Sequence, residues 1–366
     1  MQIWRVITNF FIMFLFVACS QSENQACCNE ETIKNDENKK LNAWSVDKKT
    51  IQGNTQGTTF TIKTSDDSLR VKPIDISKLL TDFDLELSGY IPNSILSKIN
   101  SSDSGLTVEN DTYFTKCYLI SQEIYKNTNG AFDPSVFPIV KAWGFFKNME
   151  KVPSNEEIDS LLNFIGFENG LHHTFDDGIF YKNTPSFQLD FNAIAQGQSA
   201  DVIGDFLEVK GHENYFIEVG GEIKVKGLNN DGQPWIIGID EPTEINDGHN
   251  TRKLENYLSI SNGGIATSGN YRKFHQKNGK KYSHTLNPKT GFPVEHNLLS
   301  TTVIAETAAM ADGYATAFMT LGVEKTMQFL AENPSLQIEA YLLFENDAGR
   351  IERMYTNGMT NYFLEN

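Results

Sequence analysis

Strand-like and helix-like runs are interspersed along residues 57–344 without the regular strand–helix–strand rhythm of a doubly wound sheet, which restricts the chain to a mixed α+β fold. Residues 57–64 alternate apolar and polar side chains as a half-buried strand does. Residues 74–87 carry apolar side chains at 76, 79, 80, 83 and 87, the spacing of one helix face, and 111–127 repeat it with Tyr113, Cys117, Ile120, Ile124 and Tyr125. Ser154 to Glu157 form a capping box after Pro153 and predict a helix through Phe164; a further helix is expected over 193–209. The chain then turns β-rich, with strands expected at 215–219, 222–226 and 235–240 between Gly-Gly and Asn-Asp-Gly turns. A strand at 300–305, helices at 308–321 and 324–333, and a strand at 337–344 follow. The expectation is α+β, mixed sheets with flanking helices, free of repeats.

A chain of 366 residues can bury one large core or two intimately packed ones. A hydrophobic fraction of 39%, with 25 Phe and 13 Tyr, excludes a largely disordered protein. The formal charge of −16 speaks against sequence-independent nucleic-acid binding, which needs a basic face. It leaves a dinucleotide possible, since a cation or backbone N–H groups can carry phosphates locally.

The N-terminus carries a targeting signal. Arg5 precedes a mostly apolar run, 6–18, which is short of the roughly 20 residues a spanning helix needs. It ends Leu15-Phe16-Val17-Ala18-Cys19 and resembles a bacterial lipobox, with Phe16 where leucine is commoner. Cleavage before Cys19 and acylation of its thiol would anchor the protein; an ordinary cleaved signal or an uncleaved anchor are the alternatives. Residues 1–18 are thus read as signal peptide, 19–45 as a lipidated polar tether, and 46–366 as the folded domain. Cys27 and Cys28 lie in the tether, Cys117 reads as a buried apolar filler, and the cysteines give no disulfide framework.

Neither usual phosphate-cradling glycine loop occurs, but four polar clusters stand out. Gly130-Ala131-Phe132-Asp133-Pro134 follows a helix, and by itself reads as a helix-ending glycine with an Asp-Pro turn. In the second, 189–201, Asp190 could cap the next helix, while Gly197 inside that helix hints at a close approach by backbone or ligand. The third runs from Ile265 to Tyr271 and on through Tyr282-Ser283-His284-Thr285 to Gly291; His284 is either a base or a structural histidine. In the fourth, Asp312 and Thr316 stand one helical turn apart, offering half a site for a hard cation or no more than a surface pair. These clusters suggest a metal, a base and backbone turns around a phosphorylated ligand.

In this order the clusters resemble the ApbE family of FAD:protein FMN transferases. The matching stretches are GTTFTI at 57–62, LSGYIPNSILSKIN at 87–100, GAFDPSVFPIVKAWGF at 130–145, LDFNAIAQGQSAD at 189–201, VGGEIKVKG at 219–227, IATSGNY at 265–271, SHTLNPKTGFPV at 283–294 and ADGYAT at 311–316. The resemblance implies an ApbE-like, two-lobed single domain with FAD in a cleft between lobes. It implies flavin-donor contacts from Gln56, Tyr90, Ala131, Phe132, Asp133, Asp190, Gln196 and Leu286. It further implies Mg²⁺ on the main-chain oxygen of Ala193 and the side chains of Asp312 and Thr316, and His284 as the base for an acceptor hydroxyl. FMN would pass from FAD to a Thr or Ser hydroxyl as a phosphoester, releasing AMP.

Two departures bear on the donor site: Gln196 stands where many members carry lysine, and Gln56 where methionine often precedes Gly-Thr. Glutamine hydrogen-bonds but brings no positive charge. Asn287 replaces a frequent aspartate. An FAD pyrophosphatase forming FMN and AMP and a non-catalytic FAD-binding lipoprotein remain the alternatives. By the same resemblance the partner is an acceptor flavoprotein subunit of a membrane redox complex, and the expected location is a lipid anchor in the inner membrane, facing the periplasm.

Overall fold

The computed structural model describes residues 45–146, 152–242, 253–270, 274–277 and 280–364. The expected signal peptide, Cys19, Cys27, Cys28 and the tether through residue 44 lie outside the described residues; Ser45, expected as the last tether residue, opens β1.

The chain opens with β1 (Ser45–Val46), β2 (Thr50–Thr55) and β3 (Thr58–Thr64), then α1 (Pro73–Leu87) and the short α2 (Ile95–Ser101). Helix α1 starts as its sequence dictates: Pro73 occupies the first turn, and the Asp75 carboxylate accepts the Lys72 N–H at 3.0 Å. Its buried face is Ile76, Leu80, Phe83 and Leu87. After β4 (Gly105–Thr107), α3 (Tyr113–Asn127) is capped by Thr112, whose hydroxyl accepts the Thr115 N–H at 3.1 Å, and it buries Phe114, Cys117, Tyr118 and Ile124.

Next come α4 (Phe137–Ala142), α5 (Asn155–Leu162), β5 (His173–Asp176), β6 (Ile179–Lys182) and α6 (Ala195–Val209). Strands β7 (Tyr215–Val219), β8 (Glu222–Lys226), β9 (Trp235–Asp240), β10 (Leu254–Ile260), β11 (Asn262–Gly269), β12 (Phe274–Lys277), β13 (Lys280–Ser283) and β14 (Leu298–Ala305) then run in series. Helices α7 (Ala308–Leu321) and α8 (Val323–Glu332) precede β15 (Glu339–Glu345) and β16 (Ile351–Tyr355).

Among the described residues, nine strands form one sheet in the order β1-β2-β3-β7-β8-β11-β14-β15-β16. Every neighbouring pair in it is antiparallel. Side-chain alternation gives this sheet two apolar faces. Tyr215, Ile217 and Val219 point to the helical side, where they meet Ile76, Leu80, Ile203 and Leu207. Phe216, Ile223, Val225, Ile265 and Ile304 point to the other side, where the β9–β10 hairpin packs Trp235, Ile237, Ile239, Leu258 and Ile260 over them. Each such side chain fully buried contributes roughly 1.5–3 kcal/mol. The mixed α+β expectation holds.

Helix α7 is apolar on nearly every side and sits in the centre, against β11, β14 and α6. Glycines make that approach possible. A Cβ on Gly197 would lie 2.3 Å from the Ala308 carbonyl oxygen, and one on Gly264 would lie 2.2 Å from the Ala308 nitrogen. The close approach that Gly197 signals is therefore by backbone, that of α7.

Several boundaries shift by one or two residues from expectation, α3 starting at Tyr113, β14 at Leu298 and β15 at Glu339, and two shifts have a visible cause. The helix expected through Phe164 ends at Leu162, with Ser154 capping it through the Glu157 N–H at 3.2 Å. The helix expected from 193 starts at Ala195, because Ile194 and Ala195 both donate to the Phe191 carbonyl in a preceding turn.

Candidate active site

A cleft of about 1690 Å³ opens beside the β9–β10 layer. It is lined by Gln56, Tyr90, Ala131, Phe132, Asp133, Asp190, Ala193, Gln196, His284, Leu286, Asp312 and Thr316, so every site residue expected within the described chain faces one space.

The acidic end is built by α6 and α7. Asp312 is only 6% exposed, and its Oδ2 accepts the Gly197 N–H at 3.1 Å. Burial pushes its carboxyl well above the ordinary carboxylate range, and the nearby Asp201 charge adds to that rise. Asp312 is thus no surface residue. Thr316 lies one turn on, half-buried. The frame is Asp201, whose oxygens accept the Ala308 and Ala309 N–H groups at 2.9 and 2.8 Å and so tie the α7 N-terminus to α6. Burial raises Asp201 to about 6, with Lys224 at 3.8 Å pulling the other way.

Asp133 and Asp190 lie on a second wall. The Asp133 Oδ1 accepts both the Ser135 N–H at 2.7 Å and the Ser135 hydroxyl at 2.5 Å. Its carboxyl is raised to about 6 by burial, which those hydrogen bonds only partly offset. Gly130 at φ +75 ends the α3 segment, so the helix-ending glycine and Asp-Pro turn are both present, and the same residues line the cleft. Asp190 does not cap α6: its Oδ1 accepts the Asn192 N–H at 2.8 Å, five residues before the helix starts, while its own N–H donates to Pro134 at 2.7 Å. It therefore straps two cleft-lining loops together, and burial raises its carboxyl. Tyr90 stacks on Phe146 at 4.6 Å between centroids.

His284 sits half-buried on a loop held from both sides. The Asn270 Oδ1 accepts the Ser283 hydroxyl at 2.7 Å and the Thr285 hydroxyl at 2.9 Å, clamping the residues that flank it. Leu286 packs with Ile139, Trp143 and Ile158 beneath. Asn287 accepts the Lys289 N–H at 2.9 Å through Oδ1, a role aspartate and asparagine fill equally.

Gln196 packs against Gly220, where a Cβ would lie 2.5 Å from the glutamine Nε2. Gln56, at φ 50 in the β2–β3 turn, has both carboxamide atoms buried without a well-formed partner; it makes only a loose contact with Asp84, whose carboxyl burial raises. Sequence reading missed Asp84, Asp201 and Asn270. Asp201 and Asn270 lie inside the second and third polar clusters, though nothing local names their partners, and Asp84 shows only as an acid four residues after Leu80 beside the apolar stripe of α1.

Ala193 carbonyl, Asp312 carboxylate and Thr316 hydroxyl are all hard oxygen donors, and a buried carboxylate raised by desolvation gains from a cation beside it. These donor types suit a hard cation such as magnesium. No cluster of three His, Cys, Asp or Glu side chains with metal-binding arrangement occurs among the described residues.

An α+β fold with a buried acid, a clamped histidine and a long cleft defines a group-transfer site for a phosphorylated ligand. The ApbE family model matches residues 56–342, and the chain belongs to that family. An FAD:protein FMN transferase of Haemophilus influenzae is 33% identical over 312 residues, 83% of this chain and 88% of that one. One of Escherichia coli K12 is 33% identical over 261 residues, 69% and 72%. The flavin transferase ApbE of Vibrio cholerae superposes with a TM-score of 0.73 at 30% identity, covering 87% of this chain and 100% of that one. The apo flavinyl transferase ApbE of Pseudomonas stutzeri gives 0.74 at 30%, covering 87% and 97%.

Proposed function

We propose that this chain is an FAD:protein FMN transferase: it moves FMN from FAD to a Thr or Ser hydroxyl of an acceptor protein and releases AMP. The observation that carries the reading is the convergence of His284, Asp312 and Thr316 on one cleft, in a chain whose relatives bear that name. His284, held by the Asn270 clamp on its neighbours, accepts the acceptor's hydroxyl proton. The attacking oxygen forms a bond to the FMN-side phosphorus, and the bond from that phosphorus to the AMP oxygen breaks. Magnesium held by Ala193, Asp312 and Thr316 would supply charge neutralisation at the pyrophosphate. Asp190 and Asp133 brace the loops of the second wall, and Gln56 and Gln196 offer uncharged hydrogen bonds to the donor.

The polar tether and Cys19 support a lipid anchor, with the inner membrane facing the periplasm as its proposed site, and the family resemblance supports an acceptor in a membrane redox complex. No helix among the described residues is long and apolar enough to cross a membrane. The test is a product balance. A transferase releases AMP in excess of free FMN only when acceptor is present, whereas a hydrolase releases the two in equal amounts with or without it.

A further inference from the structure

The proposed transfer requires a backbone segment of another protein to enter the cleft, and the cleft has one wall suited to receive it. Among the described residues β9 pairs only with β10. The direction of its remaining backbone groups follows from the C-terminus. Leu364 N–H donates to the Tyr257 carbonyl at 3.1 Å, and Phe363 bridges Leu258, so the outer edge of β10 is covered. In an antiparallel ladder the N–H and C=O of one residue point to the same side. Tyr257 turns outward and stands opposite Gly238, so these two are a non-hydrogen-bonded pair. Gly238, and by the period of two Ile236, therefore turn N–H and C=O away from β10.

That second edge borders the cleft. Ile236 and Gly238 line the same space as His284 and Asp312, and the Ile236 side chain is 52% exposed. Exposed edges are commonly blunted by charge, proline or a bulge; Pro234 and Asp240 stand at the two ends of β9, and residues 236–239 between them read Ile-Ile-Gly-Ile. A cleft of about 1690 Å³ also exceeds the roughly 300–1,000 Å³ of ordinary small-ligand sites, leaving room beside a dinucleotide.

We propose that the acceptor protein docks by adding its Ser/Thr-bearing segment as an extended strand to the edge of β9 that no described strand pairs, through main-chain hydrogen bonds to Ile236 and Gly238. A row of main-chain donors and acceptors is matched by another main chain, whatever its side chains. The docked strand runs along the cleft wall and carries its hydroxyl toward His284. This docking rests on the transferase reading.

The test compares Ile236→Pro with Ile236→Ala, using as probe a synthetic peptide that spans the residue found modified in the acceptor. Proline removes the edge N–H without touching the β10 ladder, and alanine keeps it. Ile236→Pro is expected to have kcat/KM for the peptide roughly tenfold below Ile236→Ala, mostly through KM, with FAD binding by flavin fluorescence equal in both. In the parent enzyme, amide exchange at Ile236 and Gly238 is expected to slow when the peptide is added, a measurement that decides the matter if the proline variant does not fold. Equal kinetics or unprotected amides, with the peptide still modified, overturn the docking alone. A parent enzyme that modifies no acceptor overturns the transferase reading and the docking with it.

Discussion

The backbone N–H of Gly197 donates to Asp312 Oδ2 at 3.1 Å, and the same glycine leaves no room for a side chain, since its Cβ would lie 2.3 Å from the Ala308 carbonyl oxygen. One residue of α6 therefore sets both the distance between two helices and the orientation of the buried acid. Gly197→Ala is expected to push α7 away and to destabilise the fold by about 1–3 kcal/mol, as overpacking does. Denaturant melts check the stability, and the magnesium requirement of FMN transfer checks the displaced acid.

Asp312→Asn separates stability from chemistry. Burial raises the Asp312 carboxyl, so its ionisation opposes folding once pH rises above the ordinary carboxylate range. The asparagine keeps an acceptor for the Gly197 N–H and loses the charge. The metal-free variant should melt no lower than the parent at pH 8, while transfer at low magnesium falls away. Full activity at low magnesium would remove Asp312 from the metal site.

His284→Ala should bind FAD as the parent does and transfer FMN more slowly by roughly 10²–10⁴, the range of general base catalysis. Equilibrium flavin binding and single-turnover transfer, measured on one preparation, check the two halves. An unchanged rate would place the base elsewhere.

A histidine outside the cleft lining gives a pH prediction. His173 is fully buried, stacked on Phe167, Phe180 and Phe187, and its Nε2 meets the Tyr118 hydroxyl at 2.8 Å. Burial pushes it down to about 4 from 6.5. The unfolded chain then binds a proton that the folded one refuses, so this contribution is intact above pH 6.5 and is lost as pH falls toward 4. The loss reaches about 3 kcal/mol. Asp133 and Asp201, raised to about 6, act in the opposite direction over the same range. The test is therefore a difference: from pH 7 to 4, His173→Phe should lose less thermal stability than the parent. Parallel pH profiles would contradict it.

Much of the fold was legible because local rules and burial agree. The Gly-Gly turn at 220–221 sets φ +69 and +119, which only glycine adopts readily; β7 ends just before it and β8 begins just after it. Helix α7 was readable from composition, since eight of its fourteen residues are Ala, Met or Leu, with Thr307 capping through the Met310 N–H. Strand β11 was not, because Gly263 and Gly264 have poor strand propensity and the strand exists through pairing with β8 and β14. The site divides in the same way. Asp312 and Thr316 sit at a helical spacing the sequence displays. Asn270 holds the His284 loop across 13 and 15 residues, a contact with no periodic signature. Asp190 reads locally as a helix cap, yet the Phe191 turn delays α6 and leaves it strapping Pro134.

The most direct test of the central claim is the intact mass of a candidate acceptor domain after incubation with residues 29–366, FAD and magnesium. The expected result is a gain equal to FMN less one water, on a threonine or serine, that disappears when magnesium is chelated. An acceptor of unchanged mass, with FMN and AMP accumulating together in solution, would contradict it and make the enzyme a hydrolase.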